Sequence, residues 1–259
     1  MKKSDNVHYN KYKKYKSKYI NLKTIQVGMG NNKEIYLLRH GETDWNKLGK
    51  SMGQEADIPI NDNGKEQVRK TAEYLKQFRI IDKQFDCIYA SPMIRAKETA
   101  QIIQKIIGFD KDIQFDDLLK ESKQGKISGL PKTDPLFSQI KEYEQKLKSK
   151  DPIERYVNRD AYDKKINEHF DIGYETDDEV ESRAGLFVQK LLKSDCKKIL
   201  IVAHGGLLLS MIRHLFKLSK VPEGDFKNGS NCWLSYITYN DVDGFRLVSP
   251  PDTQHLSLV

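Results

Sequence analysis

Three times along this chain an apolar run stops at a cluster of polar residues and a helical pattern follows. Lys198 to Ala203 (KILIVA) breaks at His204-Gly205-Gly206 before the helix-like stretch Leu207 to Leu218. Ile35 to Leu38 ends at Arg39-His40-Gly41, and Phe85 to Ala90 ends at Ser91-Pro92, with Arg95 just beyond. Short apolar runs without polar alternation are strands buried on both faces. Covering both faces takes helices on each side. The repeated unit therefore predicts an α/β fold, a three-layer sandwich with a mostly parallel central sheet.

The connecting segments fit that layering. Val68, Ala72 and Leu75 stand at i, i+4 and i+7 in a helix from about Asp62 to Arg79. Ser91 and Pro92 read as a helix start, the hydroxyl as cap and the proline as first helical residue, with Ile94, Ile102, Ile103 and Ile106 marking the buried face. Cys232–Tyr239 and Phe245–Val248 are strands separated only by Asn240–Gly244, a hairpin-sized gap that adds at least one antiparallel strand. The polar stretch at about 124–174 is helical from Pro135 to Lys148 and irregular after Pro152; it reads as a mainly helical insertion over the site.

The 259-residue chain carries a formal charge of +7, which spread over a folded surface would suit a nucleic-acid partner. Residues 1 to 23 hold eight lysines and one acid, whereas residues 24 to 259 hold 36 basic and 36 acidic groups. The body is neutral. Residues 1–30 are thus a basic Lys/Tyr-rich extension and linker, and residues 31–259 a single domain. In the extension Tyr9, Tyr12, Tyr15, Tyr19 and Leu22 are spaced three or four apart, as on one helix side; a solvated arm is the plainer reading. Nucleic acid is not expected as a partner except through this segment. The extension lacks a signal-peptide apolar core and any arginine, and no stretch reaches the roughly 18 apolar residues of a membrane span, so a cytoplasmic protein is expected. Cys87, Cys196 and Cys232 lie far apart, suggesting buried thiols in a reducing compartment rather than a disulfide framework or a zinc site.

In open α/β sheets ligands bind beyond the carboxyl ends of the strands, where the three polar clusters converge. Arg39 and Arg95 suit bidentate bonds to an oxyanion, and helix N-termini after Ser91 and Gly206 offer N–H groups and a positive dipole end. A lone histidine at a strand end is usually structural, and a lone arginine usually solvated. Together they describe a phosphate pocket.

LRHGETDWN (Leu38 to Asn46), ASPMIRAKETA (Ala90 to Ala100), LLKESKQGKISGL (Leu118 to Leu130), GYETDDEVESR (Gly173 to Arg183) and LIVAHGG (Leu200 to Gly206) resemble, in order, the motifs of the histidine phosphatase superfamily, phosphoglycerate mutase-like branch. They cover about residues 33 to 240. GQEADIPINDNG (Gly53 to Gly64) is nearest in spacing to fructose-2,6-bisphosphatase-like members. Ile127, Ser128 and Leu209 depart from residues that many or some members carry. The resemblance implies His40 as the nucleophile that becomes phosphorylated, Arg39, Arg95, His204 and Gly205 as the phosphate pocket, Asn46 assisting, and Glu121 as general acid and base. It requires no metal and no other cofactor.

The chemistry suits those roles. A neutral imidazole, with a reference pKa of about 6.5, is a competent nucleophile, so His40 must stay neutral. His204, beside a phosphate dianion, is expected protonated. The implied activity is a metal-independent phosphatase acting on a small phosphorylated metabolite, such as a sugar phosphate or bisphosphate, through phosphohistidine. The alternatives are a cofactor-dependent phosphoglycerate mutase, against which stands the absence of any Arg-Arg pair, and a catalytically silent binding module, against which stands the intact site set. Between Lys120 and Ile172 twelve basic residues face ten acidic ones, too balanced to attract a polyanion; one or two of Lys123, Lys126 and Lys132 would hold a second small phosphate. Oligomeric state is left open by the sequence.

Overall fold

The computed structural model describes residues 32–77, 85–147, 158–216 and 230–257. The expectations for the Lys/Tyr-rich extension lie outside these residues. Six strands make one sheet in the order β3-β2-β4-β1-β5-β6. They are β1 Lys33–Arg39, β2 Cys87–Ala90, β3 Gln114–Phe115, β4 Lys198–Ala203, β5 Leu234–Asn240 and β6 Gly244–Asp252. β1 to β4 are mutually parallel, and β5 runs antiparallel to both β1 and β6. The described helices are α1 Asp44–Lys47, α2 Asp62–Gln77, α3 Ile94–Ile107, α4 Pro135–Leu147, α5 Arg159–Phe170, α6 Asp177–Lys193 and α7 Gly205–Phe216.

The two-residue period of a strand sorts the apolar runs into two cores. Ile35, Leu37, Ile199 and Ile201 face α6 and α7, packing on Val180, Ala184, Phe187, Leu208 and Met211. Tyr36, Leu38, Ile88, Leu200 and Val202 face the other way, onto Val68, Ala72, Ala96, Ala100 and Ile103 of α2 and α3. Each fully buried side chain of this kind contributes about 1.5–3 kcal/mol, which is why the runs show no polar alternation. The expected three-layer α/β sandwich is the one observed.

Several local expectations need correction. Ser91 does not cap α3: the helix begins at Ile94, and Asp57 Oδ1 accepts the Ile94 N–H at 2.7 Å. The buried stripe of α3 is Arg95, Ala96, Thr99, Ala100 and Ile103, with Ile94, Ile102 and Ile106 only partly covered. Apolar content misplaces that stripe because the helix turns two polar residues inward for the site. After Pro152, part of the stretch read as irregular is helix α5, held to α6 by Arg159, which pairs with Asp178 and Glu181. Cys87 and Cys196 form a disulfide, their Cα atoms 5.9 Å apart, while Cys232 is free and buried. Spacing along the chain missed this pair because Cys87 pairs with Ile199 across β2 and β4, bringing residues 109 apart in sequence side by side. Among the described residues no helix is long and apolar enough to cross a membrane.

Candidate active site

The parallel register decides where the polar clusters meet. β4 lies between β1 and β2, with Arg39 opposite Ala203 and Ala90 opposite Val202. His40 and His204 are the next residues of their strands, their ring centroids 5.2 Å apart. β5 runs the other way, with Leu234 opposite Leu38, so the segment just before it reaches the same sheet edge.

His40 is buried, and burial first, then the charges of Arg95 and Arg39, hold its imidazole well below the usual histidine range. Its Nδ1 lies 2.7 Å from the Gly41 carbonyl. A carbonyl only accepts, so Nδ1 carries the proton and Nε2 keeps the lone pair. The loop under the ring is itself tied down: Gly41 N–H donates to Thr99 Oγ1 at 3.1 Å, and Thr99 Oγ1 donates to the Arg95 carbonyl at 2.7 Å.

Two buried guanidinium groups flank this imidazole. Arg95 donates from Nε to His204 Nδ1 at 3.2 Å, and through its other nitrogens to the carbonyls of Ala56 at 3.1 Å and Gly53 at 3.2 Å. Burial lowers it to about 10, against the opposing pull of Glu121 and Asp57, so it stays charged at neutral pH. Arg39 is lowered by burial too, with Glu121 opposing, and donates to the Ser230 carbonyl at 2.9 Å.

His204 is expected protonated beside a phosphate dianion; the protein's own contacts fix the tautomer of its neutral ring. Its Nδ1 accepts from Arg95, so Nε2 holds the proton and donates to Ser91 Oγ at 2.8 Å. Burial, followed by the charge of Arg95, pushes its pKa well below the usual value. The protein's own positive charges, Arg95 first, therefore favour the neutral ring.

Glu121 reaches the same pocket from a loop anchored by the fully buried Leu119. Its Oε1 accepts from Ser122 N–H at 2.9 Å and Leu207 N–H at 3.1 Å, and its Oε2 from Gly206 N–H at 3.3 Å. A Cβ on Gly206 would lie 2.8 Å from Oε1, so only glycine permits this approach. The N-termini of α3 and α7, expected to be open to an anion, are thus met by carboxylates of the chain itself, Asp57 and Glu121. At α7 Gly205 is buried and precedes the two residues whose N–H groups Glu121 engages.

Asn46 stands at the pocket's edge, where its Oδ1 accepts from Thr43 N–H, Thr43 Oγ1 and Asn231 Nδ2 in a capping box at the start of α1. Asn231 was not singled out from the sequence. It also donates to the carbonyls of His40 and Gly41 at 3.2 and 3.3 Å, fixing the carbonyl that holds the His40 proton. Only the antiparallel return of β5 brings it there, and no local pattern marks it. Gln54 and Arg183 were likewise missed as site residues; both hold the Glu121 carbonyl. Lys126 pairs with the exposed Asp171, and Lys123 and Lys132 are exposed. Among the described residues no group of three or more His, Cys, Asp or Glu is gathered to hold a metal ion.

Comparisons with known proteins place this geometry. The model for the histidine phosphatase superfamily (branch 1) matches residues 35–253. The chain is similar to the uncharacterized phosphatase PhoE of Bacillus subtilis, 32% identical over 228 residues that cover 86% of this chain and 96% of that protein. It is similar also to a 2,3-bisphosphoglycerate-dependent phosphoglycerate mutase of Buchnera aphidicola, 28% identical over 204 residues, 71% of this chain and 84% of the other. Among solved structures, a mutant phosphoserine phosphatase of Entamoeba histolytica in complex with phosphoserine superposes with a TM-score of 0.62 at 26% identity, covering 86% of this chain and 99% of that one.

Proposed function

Since the chain belongs to the histidine phosphatase superfamily, we propose that it is a metal-independent phosphatase that hydrolyses a small phosphorylated metabolite through a phosphohistidine at His40. The observation that carries this reading is the lock on His40: the Nδ1–H held by Gly41 O leaves Nε2 as a neutral nucleophile between two buried arginines. In the first step Nε2 attacks phosphorus and the ester P–O bond breaks. Arg39, Arg95 and the Gly205 N–H stabilise the charge on the equatorial oxygens, and protonated Glu121 gives its proton to the departing alcohol. In the second step the Glu121 carboxylate takes a proton from water, whose oxygen attacks phosphorus, and the N–P bond breaks to release phosphate. His204 orients Arg95 through its Nδ1. A phosphate dianion beside the ring favours a second proton on it, which would turn Nδ1 from acceptor to donor.

Similar proteins support a substrate class. A neighbour solved with phosphoserine supports a compact phosphomonoester as substrate. The mutase reading keeps a specific support in the Buchnera relative, because the first half-reaction is shared and only the acceptor differs. The deciding experiment is turnover of p-nitrophenyl phosphate and a panel of phosphoserine, phosphoglycerates and sugar phosphates, with EDTA present. Phosphate release from at least one ester, and label from [32P]-substrate trapped in wild type and absent from His40→Ala, are expected. Phosphoryl transfer to 3-phosphoglycerate outrunning release of phosphate would make the protein a mutase, and label on another residue would end the phosphohistidine reading.

A further inference from the structure

The loop that carries Glu121 is strapped by a single side chain that no step of the proposed chemistry uses. Arg183, in α6, donates from Nη1 to the carbonyls of Leu118 at 2.8 Å and Lys120 at 2.7 Å, and from Nη2 to that of Glu121 at 3.4 Å. The same guanidinium meets both oxygens of Glu175, each at 2.9 Å, in a pair that is 16% and 12% exposed. Glu175 closes the other end of the loop: its Oε2 accepts from Lys123 N–H at 3.2 Å, and its own N–H donates to the Lys123 carbonyl at 3.1 Å. From the opposite side Gln54 Nε2 donates to the Glu121 carbonyl at 2.7 Å, and Glu55 Oε1 accepts from Gln124 and Gly125 N–H at 2.8 and 2.7 Å.

A fork with five donors in one plane can serve three carbonyls and a carboxylate at once; an ammonium cannot. Arg183 is therefore spent on the main chain and on Glu175. The Glu121 side chain must span from this loop to the N-terminus of α7, so the position of its Cα sets where its carboxyl group ends. Glu175 directly follows the insertion, which makes the strap a mechanical link between roof and carboxyl group.

We infer that Arg183, held by Glu175, is a positioning residue for Glu121, fixing the acid at the leaving-group oxygen without touching substrate; the inference rests on the reading of Glu121 as general acid. A misplacement of about 1 Å can cost on the order of 10²-fold in a positioned step. The test compares p-nitrophenyl phosphate, whose leaving group scarcely needs a proton, with β-glycerophosphate, whose alkoxide does. Arg183→Lys should lower kcat/KM for β-glycerophosphate by about 10²-fold and for p-nitrophenyl phosphate by less than about fivefold. Inhibition by inorganic phosphate should not change, since Arg39 and Arg95 are untouched. Gln54→Ala, at a half-buried site, should show the same discrimination in smaller measure.

In a Glu121→Gln background Arg183→Lys should add almost nothing for β-glycerophosphate, because a strap is silent once the group it positions is gone. Equal losses on both esters, additive losses in the double variant, or wild-type behaviour of Arg183→Lys would each overturn the inference while leaving Glu121 in its role. Absence of leaving-group discrimination in Glu121→Gln itself would remove the acid reading and the strap with it.

Discussion

The phosphate pocket and the roof above it are built from different materials. In the pocket both arginines and both histidines are buried: Arg95 is fully buried and bonds two carbonyls and an imidazole, and His40 is fixed at Nδ1. In the roof the ion pairs range from the largely buried Arg159–Glu181 to pairs that face water. Lys126 and Asp171 pair with side chains 63% and 89% exposed, and α4 carries no buried residue. Buried and fully bonded groups set the geometry of a reaction to a fraction of an ångström, whereas exposed pairs are worth about 0–1 kcal/mol and rearrange freely. The groups proposed to hold and attack phosphate therefore sit at the sheet edge.

The sharpest way to break that contrast is Arg95→Ala. Loss of one preorganised donor costs about 10²–10³ in rate, and here the same change leaves the Gly53 and Ala56 carbonyls without their donor. We expect kcat/KM for p-nitrophenyl phosphate to fall by about that factor, with a drop in urea midpoint as well. Retention of more than a tenth of wild-type activity would show that Arg39 suffices and that the pocket is not a single unit.

Much of this contrast was legible in the chain. The apolar runs ending at Arg39-His40, Ser91 and His204-Gly205 marked both the strands and the pocket, since a strand buried on two faces reads as an unbroken apolar run and its end is marked by the first polar residues. What stayed illegible was held together across the sheet. Asn231 arrives only because β5 is antiparallel, Asp57 caps a helix beginning at Ile94, and Cys196 meets Cys87 through the pairing of β2 with β4. Which nitrogen of the His204 ring carries its proton stayed illegible for a related reason. Its partner Arg95 was known, but the direction of their hydrogen bond depends on coordinates.

Acid should strike the buried half first. His40, His204 and His255 are all buried and all titrate below the usual value, His255 at about 4 through burial alone; His169, in the roof, is exposed. With folded pKa values lowered, the unfolded chain binds more protons between each folded pKa and about 6.5, so stability is full above that range and falls as pH drops through it. For His255 the window runs from about 6.5 down to about 4. His255→Gln should remove about 2 kcal/mol of the stability lost between pH 7.5 and pH 5, at roughly 1.4 kcal/mol per pH unit. Urea midpoints at the two pH values measure it. An unchanged difference between them would mean that His255 opens to solvent before the core does.

The smallest effect is expected in the roof. Lys126 is one of three lysines that, on charge alone, would hold a second phosphate, but its ammonium is already engaged by Asp171. Its backbone is fixed independently: Lys126 N–H donates to the Ile172 carbonyl at 2.9 Å, and the neighbouring Gly125, at φ +54°, has that carbonyl where any Cβ would stand. Lys126→Ala therefore removes an exposed pair without loosening the loop. Stability should change by less than about 1 kcal/mol and kcat for p-nitrophenyl phosphate hardly at all. For a substrate with a second phosphate, KM should also stay within about twofold, because the exposed Lys126 ammonium is directed to Asp171, itself an exposed residue. A tenfold rise in KM confined to bisphosphates would reverse the contrast, showing that a roof lysine turns inward and that a charge at the rim, not only the buried arginines, reads the substrate.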